Sequence, residues 1–120
     1  MRQFLLLGLA GLLTVAADAQ FVQQGGKLAG SDAVVPAYQG TGVALSADGN
    51  TALVGGYGDA NYAGAVWVYT RSGGVWAQQG AKLVGVGSGV PMYQGVRVAL
   101  SADGNTALVG GNGDNAYRLE

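Results

Sequence analysis

Four residues in two matching loops are the candidates for metal chemistry in this sequence, because they supply carboxylate and amide oxygens. They are Asp59 with Asn61 in one loop and Asp114 with Asn115 in another. Such oxygens suit Ca²⁺, but Ca²⁺ usually takes about six to eight of them with several carboxylates. Each loop offers a single carboxylate. We therefore expect calcium to bind weakly or not at all, and a plain polar loop is the simpler interpretation.

The composition removes the groups on which the commonest catalytic sites depend. The 120 residues contain no His and no Cys, and the only Glu is Glu120. Ser-His-Asp and Cys-His catalysis and the usual zinc sites would lack their essential side chains. The few basic residues are scattered and the net charge is −1, so we expect no nucleic-acid partner. The sequence predicts no catalytic residue and no cofactor, with calcium as the alternative left open.

Other residues with suggestive chemistry have structural interpretations. Trp67, Tyr69 and Trp76 could stack on a carbohydrate, but they lie in β-prone runs, which favours burial. Asp48 and Asp103 each precede a glycine between two apolar runs. Asp-Gly in that setting is a strong hairpin signal, so turn formation explains both carboxylates.

The elements that position these residues come from an internal repeat. The sequence VALSADGNTALVGG runs from Val43 to Gly56 and returns letter for letter from Val98 to Gly111. The offset is 55 residues and holds from Gln23 to Asp114 without insertion or deletion. A fixed period of this length is typical of solenoids, propellers and tandem arrays.

Each repeat is predicted to contain short antiparallel strands and no helix after Gln20. Turn signals and apolar runs place strands over Phe21–Gly30, Gly40–Ser46, Thr51–Gly56, Gly64–Arg71 and Val75–Val84. The run Gly64–Arg71 is apolar on both faces, since side chains alternate along a strand. A sheet of this kind must be covered on both faces, as stacked four-stranded blades are.

The N-terminus has the order of a secretory signal peptide. Arg2 precedes an apolar run from Phe4 to Ala16, and Ala17-Asp18-Ala19 places small residues at a cleavage site. The apolar run is shorter than the about 20 residues of a spanning helix. We therefore expect residues 1–19 to be removed, a mature chain starting near Gln20 outside the cytoplasm (secreted, periplasmic or at the cell surface), and no membrane span after cleavage.

The mature part resembles the FG-GAP repeats of bacterial secreted proteins, which are related to the integrin α-chain propeller. The resemblance is carried by W-x-Q-Q-x-x-K-L at Trp76–Leu83 and by Q-G-x-x-V-A-L-S at Gln39–Ser46 and Gln94–Ser101. It continues through D-G-N-T-A-L-V-G-G at Asp48–Gly56 and G-A-V-W-V-Y at Gly64–Tyr69. It implies an all-β fold, a partial β-propeller of four-stranded antiparallel blades, that binds partners rather than transforming them. The acidic calcium loop of integrin repeats is absent.

From this resemblance we expect repeat one over about 21–75 and an incomplete repeat two over about 76–120. The expected function is an exported, non-enzymatic repeat protein, or a fragment of one, in binding or adhesion to a protein or carbohydrate. Two alternatives remain open: a fragment of a secreted propeller hydrolase or lyase with its active site elsewhere, and a purely structural array. Apolar faces without neighbouring blades predict that the mature chain self-associates or packs against further propeller blades, or else is marginally stable and aggregates.

Overall fold

The chain folds almost entirely into antiparallel β-structure. The computed structural model describes residues 20–86 and 91–113, so the expected signal peptide over 1–19 lies outside the described residues. The elements in chain order are β1 Gln39–Leu45, β2 Thr51–Gly56, a short helical turn α1 Asp59–Tyr62, β3 Ala65–Ser72, β4 Val75–Gln78, β5 Gln94–Leu100 and β6 Ala107–Gly111. The all-β, antiparallel part of the predicted fold class is confirmed.

Strands β1 to β4 form one sheet in chain order, and β5 and β6 form a second, two-stranded sheet. The register of β2 and β3 places Val54 opposite Trp67. The predicted fourth strand is interrupted: β4 ends at Gln78, and the chain rejoins the sheet where Leu83 and Val66 exchange backbone hydrogen bonds of 2.8 and 3.0 Å. The order of the strands in the first sheet, β1-β2-β3-β4, is nevertheless the order that the repeat predicts.

The repeated hairpin turn is held by its own side chains. The Asp48 carboxylate accepts hydrogen bonds from the Ser46 hydroxyl at 2.7 Å and the Asn50 N–H at 2.9 Å. These bonds, the hydroxyl first, hold the pKa of Asp48 below its ordinary value. Gly49 takes the left-handed backbone, at φ 73°, that the turn requires. The second turn repeats the same bonds around Asp103, and the predicted turn role of both carboxylates is confirmed.

One face of the first sheet, here called the front face, carries the core. Trp67 and Tyr69 project from it and are buried together with Ala65. Ala37 from the connection before β1 is buried in the same cluster, and Ala33 packs against it. The predicted burial of the two aromatic residues of β3 is confirmed, and it places the N-terminal connection across this face.

The opposite, back face of the first sheet is covered by the second sheet, and glycines allow the close approach. A methyl group on Gly42 would lie 2.7 Å from the carbonyl oxygen of Gly95. A methyl group on Gly55 would overlap the same carbonyl. The two hairpin turns are joined where the Ala47 N–H donates to the Ala102 carbonyl oxygen at 2.9 Å.

The two hairpins, which share the sequence from Val43 to Gly56 and from Val98 to Gly111, stack front to back. Val98 and Leu100 are half-buried in the second hairpin and correspond, by the 55-residue offset, to Val43 and Leu45 of the first hairpin. Val98 and Leu100 lie on the front face of the second hairpin, and this face packs against the back face of the first sheet. Val43 and Leu45 are 66% and 58% exposed, and Leu108 on the second back face is 72% exposed. An apolar face is thus open at each end of the stack.

Two predictions about the elements are wrong. The segment Phe21–Gly30 is not a strand among the described residues. The equivalent segment of the second repeat pairs with the sheet through Leu83, which lies beside Val66. The edge at Val66 is therefore occupied, and Phe21–Gly30 cannot pair there as well. The predicted loop Tyr57–Ala63 contains the turn α1, so the described chain after Gln20 is not without helix; the backbone at Ala60 and Asn61 is left-handed there.

Candidate functional site

Four tyrosine rings gather at the junction between the two repeats. Tyr38 precedes β1, Tyr57 and Tyr62 flank the loop of α1, and Tyr93 precedes β5. The rings of Tyr38 and Tyr57 are stacked with centroids 5.2 Å apart, and those of Tyr62 and Tyr93 are 5.5 Å apart. Aromatic pairs prefer such offset or tilted arrangements. We call these four residues the tyrosine cluster.

The repeat positions two members of the cluster in the same way. Tyr38 and Tyr93 are equivalent by the 55-residue offset, and both have left-handed backbones, at φ 54° and 57°. Each ring lies against a glycine that has no room for a side chain, Gly58 for Tyr38 and Gly113 for Tyr93. The N–H groups of Met92 and Tyr93 both donate to the Tyr62 carbonyl oxygen. The connection between the repeats is therefore pinned to the loop of α1.

The tyrosine cluster reaches the surface and has the chemistry of a contact surface. Tyr38 is 47% exposed and Tyr62 is 37% exposed. The hydrogen bond with the Tyr38 side chain, followed by charge repulsion from it, raises the pKa of Tyr62. The Tyr62 phenol is therefore neutral at physiological pH and is able to donate and accept hydrogen bonds. Flat apolar rings with polar tips are common where proteins meet partners.

Asp59, a predicted metal candidate, is used in the fold. Its side chain is buried, and its carboxylate forms a 2.6 Å ion pair with the Lys82 ammonium group. The other carboxylate oxygen accepts the Val34 N–H at 2.6 Å. The carboxylate thus joins three separate segments of chain, and both of its oxygens have protein partners.

The other metal candidates do not join Asp59 in a described site. Asn61 lies on the exposed side of α1, while Asp114 and Asn115 lie outside the described residues. Over residues 20–86 and 91–113, no three acidic, His or Cys side chains are grouped so that they could hold a metal ion. The expectation of weak or absent calcium binding stays a prediction.

Asp32 organises the front face and was not singled out from the sequence. One of its oxygens accepts the Trp67 indole N–H at 2.8 Å, and the other accepts the Lys82 backbone N–H at 2.7 Å. These bonds, that of Lys82 first, lower the pKa of Asp32 to about 2. Position 32 becomes Gly87 in the second repeat, so the periodicity gave no signal for it. The burial expected for Trp67 was the only available hint, since a buried indole N–H needs an acceptor.

The aromatic residues considered as a carbohydrate platform do not form one flat surface. Trp67 and Tyr69 are buried. Trp76 is half-buried, with the Arg71 guanidinium 5.4 Å from its ring centre and its N–H donating to the Gln24 side chain at 3.1 Å. The tyrosine cluster is the group of neighbouring aromatic rings that reaches the surface. Only the repeated Tyr-Gln-Gly at Tyr38 and Tyr93 gave a sequence signal for it.

Comparison with known proteins yields no relative to assist this assignment. No protein-family model, no curated protein and no solved structure matches the chain. Within the described residues, none of the helical structure has the length and apolar character needed to cross a membrane. The function must therefore be argued from the residues themselves.

Proposed function

We propose that this chain is an exported, non-enzymatic repeat protein of the FG-GAP type, or a fragment of one, that acts by binding. The exposed tyrosine cluster carries the proposal. It presents the aromatic faces and phenol hydroxyls of Tyr38 and Tyr62 at the junction of two repeats. A protein or carbohydrate ligand offers the apolar and hydroxyl surfaces that such rings contact.

The propeller architecture is part of the proposal and is supported by the way the hairpins stack. Equivalent hairpins pack front to back, with the second hairpin's Val98 on the first hairpin's Gly42. The same face of each unit meets the opposite face of the next, as in the blades of a propeller. Such packing can continue through further units, in this chain or in others.

Export is proposed from the N-terminal sequence, and a direct measurement tests it. We expect exported material to begin near Gln20, because of the order of Arg2, the apolar run and Ala17-Asp18-Ala19. N-terminal sequencing of protein recovered outside the cytoplasm checks this. Soluble cytoplasmic protein that retains Met1 would contradict export without bearing on the binding role.

The binding role is tested with immobilised full chain and arrays of glycans and extracellular proteins. We expect saturable binding that is reduced about tenfold by Tyr62→Ser, a loss typical of an aromatic contact residue. Leu108→Ser is the matched control, because Leu108 is exposed and is not a member of the tyrosine cluster. Equal loss in both variants would contradict binding at the cluster. Turnover of a bound glycan would favour the alternative of a propeller enzyme.

A further inference from the structure

The second repeat contains a cavity where the first repeat contains a tryptophan. A cavity of about 420 Å³ is lined by residues that include Gly85, Gln94, Val109 and Gly111. Subtracting the 55-residue offset gives Gly30, Gln39, Val54 and Gly56 in the first repeat. These are the residues around Trp67.

The contacts of Trp67 show what fits such a space. Val54 is its partner in the register of β2 and β3. A methyl group on Gly56 would lie 2.9 Å from the indole ring, and one on Gly30 would overlap it. Glycine at both positions therefore makes room for the indole.

The walls are built alike in both repeats. The Gln39 side-chain oxygen accepts the Gly30 N–H at 2.9 Å, and the Gln94 side-chain oxygen accepts the Gly85 N–H at 2.6 Å. The Gln94 amide also donates back to the Gly85 carbonyl oxygen at 3.1 Å. The hydrogen bond from a glycine N–H to a glutamine side chain thus lies beside the cavity in the second repeat, as it lies beside Trp67 in the first repeat.

The cavity adjoins an edge to which a strand can pair. In the first sheet β2 has β1 on one side and β3, the strand of Trp67, on the other. Among the described residues β6 pairs with β5 alone. An extended peptide can add to such an edge through backbone hydrogen bonds, with a side-chain pocket giving specificity.

We propose that the edge of β6 and this cavity form an acceptor site for an extended strand of a partner polypeptide that carries a tryptophan. In the register of the first sheet, the incoming tryptophan lies opposite Val109, as Trp67 lies opposite Val54. The strand Gly-Ala-Val-Trp-Val-Tyr of this sequence defines the chemistry: an indole flanked by β-branched residues. The repeat equivalence carries this inference, which does not rest on the proposed function.

A synthetic peptide tests the site on the full chain. The probe is GAVWVYTR with blocked ends, which copies residues 64–71, and the matched peptide is GAVAVYTR. We expect binding by calorimetry, and hydrogen-exchange protection over 107–111. The alanine peptide should bind about tenfold more weakly or worse, because it forfeits burial of the indole. Equal binding of the two peptides, or no binding at about millimolar peptide, would overturn the proposal.

Two protein variants and a small ligand sharpen the test. Val109→Asp places a charge in the cavity and should abolish binding, whereas Leu108→Asp, its neighbour on the opposite face of β6, should retain it. Circular dichroism checks that both variants keep their β-structure; if Val109→Asp does not, the peptide pair still decides. N-acetyltryptophanamide binding as tightly as the peptide would identify a small-molecule pocket and overturn strand docking.

Discussion

The ion pair between Asp59 and Lys82 is a residue-scale contact that joins the two repeats. The Asp59 side chain is buried and that of Lys82 is 20% exposed. Removing one partner of a buried pair leaves a charge without compensation, and this costs about 3–5 kcal/mol. The Val34 N–H that also donates to Asp59 offsets part of that cost.

We therefore expect Lys82→Ala to lower the free energy of unfolding by about 3 kcal/mol, measured by urea denaturation. Lys27→Ala is the matched control, because Lys27 occupies the equivalent position in the preceding segment and is exposed. Its effect should stay within about 0.5 kcal/mol. A loss of similar size in both variants would show that the ion pair adds no particular stability.

The lowered pKa of Asp32 predicts how the stability of the folded chain depends on pH. Its pKa is about 2 in the folded chain and 3.8 ordinarily, because it accepts N–H bonds from Lys82 and Trp67. A lowered acid pKa means that the unfolded chain binds the proton first. The stabilisation is complete above about pH 4 and is lost as the pH falls through about 2.

Unfolding midpoints measured from pH 5 to pH 2 check this. The wild-type midpoint should fall over the acid part of this range, because the unfolded chain takes up a proton at Asp32 there while the folded chain still holds the carboxylate ionised. Asp32→Asn should be less stable at pH 5 and should show a shallower fall. Parallel curves for the two proteins would mean that Asp32 does not contribute to the acid loss of stability.

At the scale of elements, glycines set the distance between the two hairpins. Gly55 in β2 lies against the Gly95 backbone, whereas the nearest neighbour of a methyl group on the equivalent Gly110 in β6 would be 3.6 Å away. The flanking sequences are identical. Position 55 is thus inside the stacked interface and position 110 is outside it.

Gly55→Ala should therefore destabilise the chain by about 1–3 kcal/mol, since overpacking against backbone forces the sheets apart. Gly110→Ala should change stability by no more than about 0.5 kcal/mol. Thermal or urea unfolding of the two variants measures the difference. Equal effects would contradict the front-to-back stacking of the hairpins.

The elements also show what the sequence could and could not predict. The repeat and its Asp-Gly turns were sufficient for β1 to β3, for the start of β4 and for the burial of Trp67, because these depend on local pattern. The strand predicted over Phe21–Gly30 failed because the edge beside Val66 is taken by Leu83, and local sequence pattern does not reveal which of two equivalent segments pairs there. The partners of Asp59 and Asp32 lie 23 to 50 residues away, so no local rule could supply them.

At the scale of the whole molecule, the stack has two open apolar ends. Val43 and Leu45 lie on the front face of the first hairpin, and Leu108 lies on the back face of the second. These are the faces that meet inside the chain, so a second copy could add to either end in the same orientation. A front-to-back contact of this kind can repeat from copy to copy, either closing into a ring or continuing into larger open assemblies.

One residue opposes that growth. Arg97 on the second back face stands at the position of Gly42 on the first, where even a methyl group would lie 2.7 Å from the Gly95 carbonyl oxygen. Its side chain therefore obstructs an exact repetition of the internal stacking. A charged residue on an exposed strand is a common means of limiting association.

We expect the wild-type chain to self-associate through its apolar ends, and Arg97→Gly to associate more strongly because it restores the glycine that the internal contact uses. Leu108→Lys should reduce association, since it places a charge on the contact face, while Val75→Lys, at a similarly exposed position on β4, should not. Size-exclusion chromatography with light scattering over a range of concentrations measures each species. A sharp monomeric peak for both wild type and Arg97→Gly, with cooperative thermal unfolding, would mean that these faces are stable in water and that the hairpins do not extend the stack between chains.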